Sequence, residues 1–571
     1  MRNTMPTTTT LRRTARDAVE EALARIDGLG QPEIWITLRP ASVLRELAAA
    51  VDTRVAAGAV LPLAGWTVAV KDNIDVAGLP TTAASPSVLH TPDTSAPTVA
   101  RLEAAGAIVV GKTNLDQFAT GLVGARSPYG TPHAAGDATR VSGGSSAGSG
   151  LAVAHGIVDV ALGTDTAGSG RVPAAFNDVV GIKPTLGLLS ADGVVPASPS
   201  YDTVSVFARD LATAVTATEV MTASGTPRAW PGDAPFAARG RRIGVARAAD
   251  LATMSPSWRA AYDATVAAVS AAGADLVELD VSPLVDVAAL LYGGALLAER
   301  AQAFGASLVE LGDAADPTVA RIVLPAMDVS AVDLVRDQQA LVAARRTTDA
   351  LWETIDALLL PTAPGHPTLA ALAEDPVGVN AWVGTYTNFV NLLDLSALAV
   401  PAVGSTRSEP VGVSLIGPAF ADLALADLAV GLGLAASAGE PDALWGAPSV
   451  DLVVFGAHRT GQPLHHELVR AGGRLLGTVS TAPAYRMARL ATTPPKPGVW
   501  RTASGGESIV GERWALPPAG FATFALGLAA PMTIGRVELA DGSDVLGFLC
   551  EPRALDGAED VTAARDWLAV R

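Results

Sequence analysis

The stretch that most constrains this chain is residues 141–173, VSGGSSAGSGLAVAHGIVDVALGTDTAGSGRVP. Two Ser/Gly-rich loops, GGSSAGSG and GTDTAGSGR, flank a short apolar run. Glycine lets backbone N–H groups turn inward and approach a bound molecule closely. The hydroxyls of Ser142, Ser145, Ser146 and Ser149 in the first loop, and of Ser169 in the second, are candidate nucleophiles if another group removes a proton. Neither loop holds a histidine, and His155 lies on the run between them, so no Ser/His/Asp set is visible locally. The base has to come from elsewhere.

Lys71, in WTVAVKDNIDVAG, is the best outside candidate. It follows an apolar run, residues 66–70, that reads as a buried strand. Desolvation disfavours the ammonium form, so a lysine placed there can act as a base near neutral pH. The alternative is a lysine that snorkels or pairs with Asp72 or Asp75.

With 571 residues the chain has room for two or more domains, and 49% hydrophobic against 17% charged residues makes it globular rather than disordered. A net charge of −17 argues against nucleic acid or an anionic membrane as partner. It leaves room for a small anionic substrate, because one arginine can dominate a pocket. Cys550 is the sole cysteine, which excludes an intrachain disulfide and sets the expectation of a cytoplasmic protein. In GFLCEP it reads as a buried, inert thiol. The first residues lack the apolar core of a signal peptide, and stretches such as ALADLAVGLGLAASAG are too short or too interrupted to span a bilayer.

Residues 1–12 read as a disordered leader. Residues 13–27, 43–58 and 96–106 have helical spacing, AIVVG reads as a strand, and TNLDQFATG as the start of a helix. Strand and helix then alternate through VDVALG, RIGVAR, residues 257–273, ADLVELD and ALLLPTAP, which argues for an α/β domain with a helix-covered sheet. A Gly/Pro/Ala-rich boundary near 437–450 separates a catalytic domain over 13–440, through a linker over 441–450, from a small β-rich domain over 451–571.

Three local patterns compete. Gly106-x4-Gly111-Lys112-Thr113 matches a phosphate-binding loop literally, but an apolar, β-prone run occupies the place of the loop. Gly144 to Gly148 matches G-x-S-x-G around Ser146, yet no convincing strand precedes it; His366 or a C-terminal histidine would have to be recruited. His465, His466 and Glu467 read as a solvated helix face rather than a metal site.

Taken together, VAVKDNID, GGSSAGSG and GTDTAGSGRVPAA resemble the amidase-signature family of serine hydrolases, with Lys71 and Ser145 74 residues apart and Ser145 and Ser169 24 apart. The resemblance covers roughly residues 15–440. It implies a large mixed sheet surrounded by helices, with Ser169 as nucleophile, Ser145 as proton relay, neutral Lys71 as base and a cis peptide at Gly144–Ser145. It also implies an oxyanion hole formed by the N–H groups of Thr166, Ala167, Gly168 and Ser169. Many members have two glycines before the nucleophile and isoleucine after it; the sequence Ala167-Gly168-Ser169-Gly170 is similar to the variant in allophanate hydrolases.

Within that subgroup, Tyr292 and Arg300, eight residues apart on an expected helix LLYGGALLAERAQAF, would contact the substrate carboxylate. An exposed Arg300 paired with Glu299 or a neighbour is the alternative. The tail resembles the subgroup's C-terminal domain, an α+β fold similar to γ-glutamyl cyclotransferases, in which His458 matches the acid/base residue; a structural histidine is the alternative. The implied activity is hydrolysis of allophanate (urea-1-carboxylate). The first domain releases ammonia and leaves N-carboxycarbamate, and the second completes its breakdown to ammonia and carbon dioxide, in urea or cyanuric acid degradation. The resemblance implies no metal or organic cofactor and suggests a homodimer. The competing readings are a broad amidase with a scaffold tail and a non-catalytic assembly subunit; intact Lys71, Ser145 and Ser169 speak against the latter.

Overall fold

Short apolar runs recur between amphipathic helices, and in the computed structural model they become strands of one large sheet. The structure describes residues 13–222, 225–436 and 444–570, so the leader expected over 1–12 and part of the linker expected over 441–450 lie outside the described residues. The chain divides into two compact units, the second of which takes in Ala229–Arg241 and Leu423–Leu428 together with the C-terminal residues.

Among the described residues the first unit holds eleven strands: β1 (Trp35–Leu38), β2 (Thr67–Lys71), β3 (Ile108–Thr113), β4 (Val160–Asp165), β5 (Val180–Lys183), β6 (Thr203–Ala208), β7 (Arg242–Ala246), β8 (Asp275–Leu279), β9 (Ala357–Pro361), β10 (Ser396–Pro401) and β11 (Gly412–Gly417). Their order across the sheet is β1-β3-β2-β4-β6-β5-β10-β11-β9-β7-β8. β2 runs parallel to β3 and β4, β7 runs parallel to β8 and β9, and the other neighbours are antiparallel. Every residue of β2 to β6 is buried. Covered on both faces, these strands read as continuous apolar runs rather than alternating ones.

The parallel pairing of β2 with β4 decides where the site lies. Val70 sits opposite Leu162, so Lys71 and the last residues of β4 leave the sheet at the same edge. Crevices at the carboxyl ends of parallel strands are the usual place for ligands in α/β sheets. The helix Ala147–Ala154, entirely buried, brings the first Ser/Gly loop to that edge.

Two local expectations are corrected. Residues 113–121 do not start a helix: after β3 the chain makes a single turn at Gln117–Ala119 with Phe118 and Ala119 at positive φ. The Asn114 side chain takes the Leu115 N–H at 2.8 Å, and the Asp116 carboxylate takes N–H groups further along, so local polar side chains divert the backbone from a helical ladder. Residues 290–304 are not one helix either. The chain breaks at Gly294, where the Asp337 carboxylate accepts the Ala295 N–H at 2.6 Å, and a π-helical turn spans Ala301–Gly305.

The second unit is β-rich. Strands β12 (Val450–Val454), β13 (Arg474–Ser480), β16 (Val510–Leu516), β17 (Met532–Glu538) and β18 (Asp544–Cys550) form a sheet ordered β13-β16-β12-β18-β17, in which only β12 and β18 are parallel. β14 (Tyr485–Leu490), β15 (Lys496–Arg501) and β19 (Glu559–Asp560) form a second sheet, ordered β15-β14-β19. Tyr485, Trp514, Phe548 and Cys550 lie in their shared core. Burial pushes the Cys550 thiol up, consistent with an inert cysteine.

Candidate active site

Lys71 ends β2 and is completely buried. Its Nζ lies 2.8 Å from Ser145 Oγ and 2.7 Å from Thr164 Oγ1 on β4. Loss of solvent around the ammonium lowers its pKa to about 7, against the opposing pull of Asp116, Asp202 and Asp165 and with a further push from Arg300. The alternative partners are engaged elsewhere. Asp72 pairs with buried Lys112 at 3.1 Å, and Asp75 accepts from Thr81 and His90. Among the described residues, Lys71 therefore has two hydroxyls and no carboxylate within ion-pair distance.

The Gly144–Ser145 peptide is cis, as the resemblance implies. Ser145, fully buried, holds the Asp116 N–H on its carbonyl at 3.1 Å. Ser169 is buried as well, and its Oγ donates to the Gly121 carbonyl at 3.5 Å rather than to Ser145. The structure thus joins Lys71 to Ser145 and places Ser169 against a neighbouring loop.

Around Ser169 several backbone N–H groups are left without a partner: among the described residues, those of Thr166, Ala167, Gly168 and Ser169 find no protein acceptor. Gly168 has φ +147°, and a Cβ there would stand 2.5 Å from Thr387 Oγ1, so only glycine fits. The loop is held from below by a bidentate pair: Arg171 Nε and Nη2 each donate to Asp165 at 3.0 Å, both side chains fully buried. Asp165 also takes the Gly170 N–H at 2.9 Å, and Arg171 donates to Asn391 and to the Thr387 carbonyl. Burial pushes the Asp165 carboxyl up, but Arg171 and these hydrogen bonds outweigh it and hold it below the usual range. Asp202 accepts from the Thr166 hydroxyl and from the N–H groups of Ala197 and Ser198.

Arg300 is 1% exposed and does not pair with Glu299, which binds Ser198 Oγ and the Ser200 N–H instead. Its Nη1 donates to Thr120 Oγ1 at 3.1 Å, its Nη2 to Tyr292 Oη at 3.4 Å, and its guanidinium lies 5.1 Å from the Tyr292 ring centre. Arg300 Nε, buried, has no partner. Among the described residues Arg300 has no carboxylate within ion-pair distance. Tyr292 and Arg300 come together even though the helix between them is broken.

His458 lies in the second unit, 4% exposed, on the wall of a cavity of about 700 Å³. Its Nε2 is 2.9 Å from Glu467 Oε2, and its ring meets Phe524 and Phe548 edge-on. Burial lowers its pKa while the Glu467 hydrogen bond opposes the shift. Arg239, Arg470 and Lys496 also line this cavity.

The family described as Amidase matches residues 17–425. This chain belongs to the amidase family. In the amidase, residues 450–571 match a further family, the allophanate hydrolase C-terminal domain. The solved structure of Kluyveromyces lactis allophanate hydrolase superposes with a TM-score of 0.83 at 37% identity, covering 98% of this chain and 97% of that one. Urea amidolyase of Saccharomyces cerevisiae is 41% identical over 536 residues, 88% of this chain; the amidase spans only 29% of that relative's length. The peptide amidase of Stenotrophomonas maltophilia aligns over 73% of this chain and 93% of its own, with a TM-score of 0.60 and 26% identity. The expected architecture, an amidase-signature α/β fold followed by a β-rich C-terminal domain, is therefore present.

The competing patterns have structural partners. Lys112 is sealed in β3 against Asp72 and the Pro80 carbonyl, so the literal phosphate-loop match is a strand. Ser146 Oγ donates to the Thr164 carbonyl at 3.1 Å, and His366 is occupied by the Val141 carbonyl and stacked on Phe176. His466 meets the Pro463 carbonyl, His465 packs near Trp514, and Glu467 serves His458. Sequence reasoning missed Thr164, Asp165, Arg171 and Asp202 in the amidase, although three of them stand in GTDTAGSGR. The Asp-x5-Arg spacing inside that loop was the available signal.

Proposed function

We propose that this chain hydrolyses allophanate, and that the single observation carrying the reading is fully buried Lys71, 2.8 Å from Ser145 Oγ with a pKa of about 7. A neutral amine so placed accepts the Ser145 proton while Ser145 accepts that of Ser169. Ser169 Oγ bonds to the amide carbon, and the unclaimed N–H groups of residues 166–169 receive the oxyanion. Each such donor is worth about 3–4 kcal/mol in the transition state. The proton returns through Ser145 to the departing nitrogen, ammonia leaves, and water cleaves the acyl-enzyme by the same relay, giving N-carboxycarbamate.

Arg300, with Tyr292 and Thr120 against it, supports a substrate bearing a carboxylate. The second unit takes the product onward to ammonia and carbon dioxide, with His458 as acid/base beside Glu467. The match to the allophanate hydrolase C-terminal domain supports this assignment. Among the described residues no single helix is long and apolar enough to cross a membrane, and the one cysteine supports a cytoplasmic setting. A homodimer completes the reading.

Ammonia release from allophanate, biuret, malonamide and simple aryl and alkyl amides tests it. Preference for allophanate supports the proposal, equal turnover of all amides points to a broad amidase, and no turnover to a non-catalytic subunit.

A further inference from the structure

Between Lys71 and Arg300 runs a loop, residues 116–126, that the sequence motifs do not cover. Gln117 N–H donates to the Arg126 carbonyl at 2.6 Å and closes its neck. Inside the loop sits Asp116, 0% exposed. Its Oδ2 accepts from Gly124 N at 3.0 Å and Val123 N at 3.3 Å, its Oδ1 from Arg126 N at 3.0 Å. Its own N–H holds the Ser145 carbonyl at 3.1 Å, on the relay residue itself. The fit is tight on both sides: a Cβ on Gly144 would stand 2.2 Å from Asp116 Oδ2, and one on Gly121 would stand 2.5 Å from it. Arg126, alongside, ties the loop by donating to the carbonyls of Thr120 at 2.9 Å and Pro376 at 2.7 Å.

The same loop reaches the rest of the site. The Gly121 carbonyl takes the Ser169 hydroxyl, and the Thr120 hydroxyl takes Arg300 Nη1. Phe118 stacks on Phe304, one turn beyond Arg300, with ring centres 4.8 Å apart. Relay, nucleophile and guanidinium therefore all touch one loop, and that loop is folded around one carboxylate.

We propose that Asp116 is a positioning residue for amide hydrolysis: by gathering the N–H groups of Val123, Gly124 and Arg126 while its backbone holds Ser145, it sets Gly121 against Ser169 and Thr120 against Arg300. It touches no substrate. This rests on the Ser169–Ser145–Lys71 reading above. An asparagine cannot replace it, because its NH2 would face either the Val123 and Gly124 donors or the Arg126 donor.

The test compares Asp116→Asn and Gly121→Ala with the parent full-length chain, using allophanate and malonamide and kcat per folded enzyme. Asp116, Asp202, Asp165 and Arg300 are the charges that act on Lys71. Burial pushes the Asp116 carboxyl up, while Arg126 and the N–H groups of Gly124 and Arg126 favour its ionised form. Removing that charge favours the neutral amine, so D116N is expected to lose about 10²-fold in kcat and to move the acidic limb of its pH profile below the parent's. G121A keeps the charge but crowds the carboxylate, and is expected to lose about tenfold or more in kcat with the limb unmoved. A folded D116N within about threefold of the parent, or with an unmoved limb, overturns the proposal. If D116N does not fold, G121A decides: kcat within about threefold of the parent overturns it, and the larger loss supports it. A parent inert toward every amide overturns the functional reading itself, whereas an active parent with indifferent variants overturns only the role of Asp116.

Discussion

Lys71 is a base only while uncharged. With its pKa lowered to about 7 by burial, the neutral fraction falls tenfold for each pH unit below that value. The rate of ammonia release should therefore rise with unit slope up to pH about 7 and level off above it; a flat profile from pH 5 to 8 contradicts the assignment. Ser169→Ala should abolish ammonia release, a loss on the order of 10⁴-fold or more, because the relay from Lys71 through Ser145 is then left without its nucleophile. Arg300→Ala has two separable effects. Losing a charge-assisted contact of about 2–3 kcal/mol should raise KM for allophanate by roughly 10²-fold while sparing neutral amides. Losing a positive neighbour of Lys71 should also shift the acidic limb to higher pH. Equal damage to neutral amides counts against a carboxylate-binding role.

Elements hold these residues in place through buried charge. The Asp165–Arg171 pair ties β4 to the loop that carries Ser169, with both side chains fully out of solvent. Truncating one partner leaves the other charge buried alone, which costs about 3–5 kcal/mol. Arg171→Met should therefore lower the thermal midpoint markedly, and calorimetry will read it. The pH dependence follows from the sign of the shift. Asp165 has a folded pKa below its unfolded one, so its contribution to stability is complete above about pH 4 and fades as acid titrates the folded carboxyl. Parent and R171M stabilities should converge in acid and diverge toward neutrality. The two corrected segments belong to this scale too. Residues 113–121 carry helix-compatible composition, but Asn114 and Asp116 spend their side chains on backbone N–H groups, and a period-based reading has no means of weighing that competition.

On the scale of the molecule, the chain forms two compact units. If the second acts on the first one's product, His458→Asn in the full chain should leave the rate of allophanate consumption unchanged while halving the ammonia released per allophanate. N-carboxycarbamate should then accumulate, visible by carbon-13 NMR of labelled substrate; a matching fall in the first step would show that His458 does not act downstream.

Sequence alone determined the mixed α/β character and singled out Lys71, Ser145 and Ser169 as candidates, since these lie in contiguous motifs whose glycines and serines leave few alternatives; it did not show that residues 229–241 and 423–428 belong with the C-terminal unit, because no change of texture marks them. It also placed Tyr292 and Arg300, though on a helix that proves to be broken. The tertiary structure decided what surrounds them. Thr164 meets Lys71 from 93 residues away, and Arg300 meets Thr120 from 180. Asp116 matters through its contacts with Ser145 and with residues 123–126. Such roles come from burial and from which neighbour claims each polar atom, and both are properties of the folded chain that no local pattern of residues encodes.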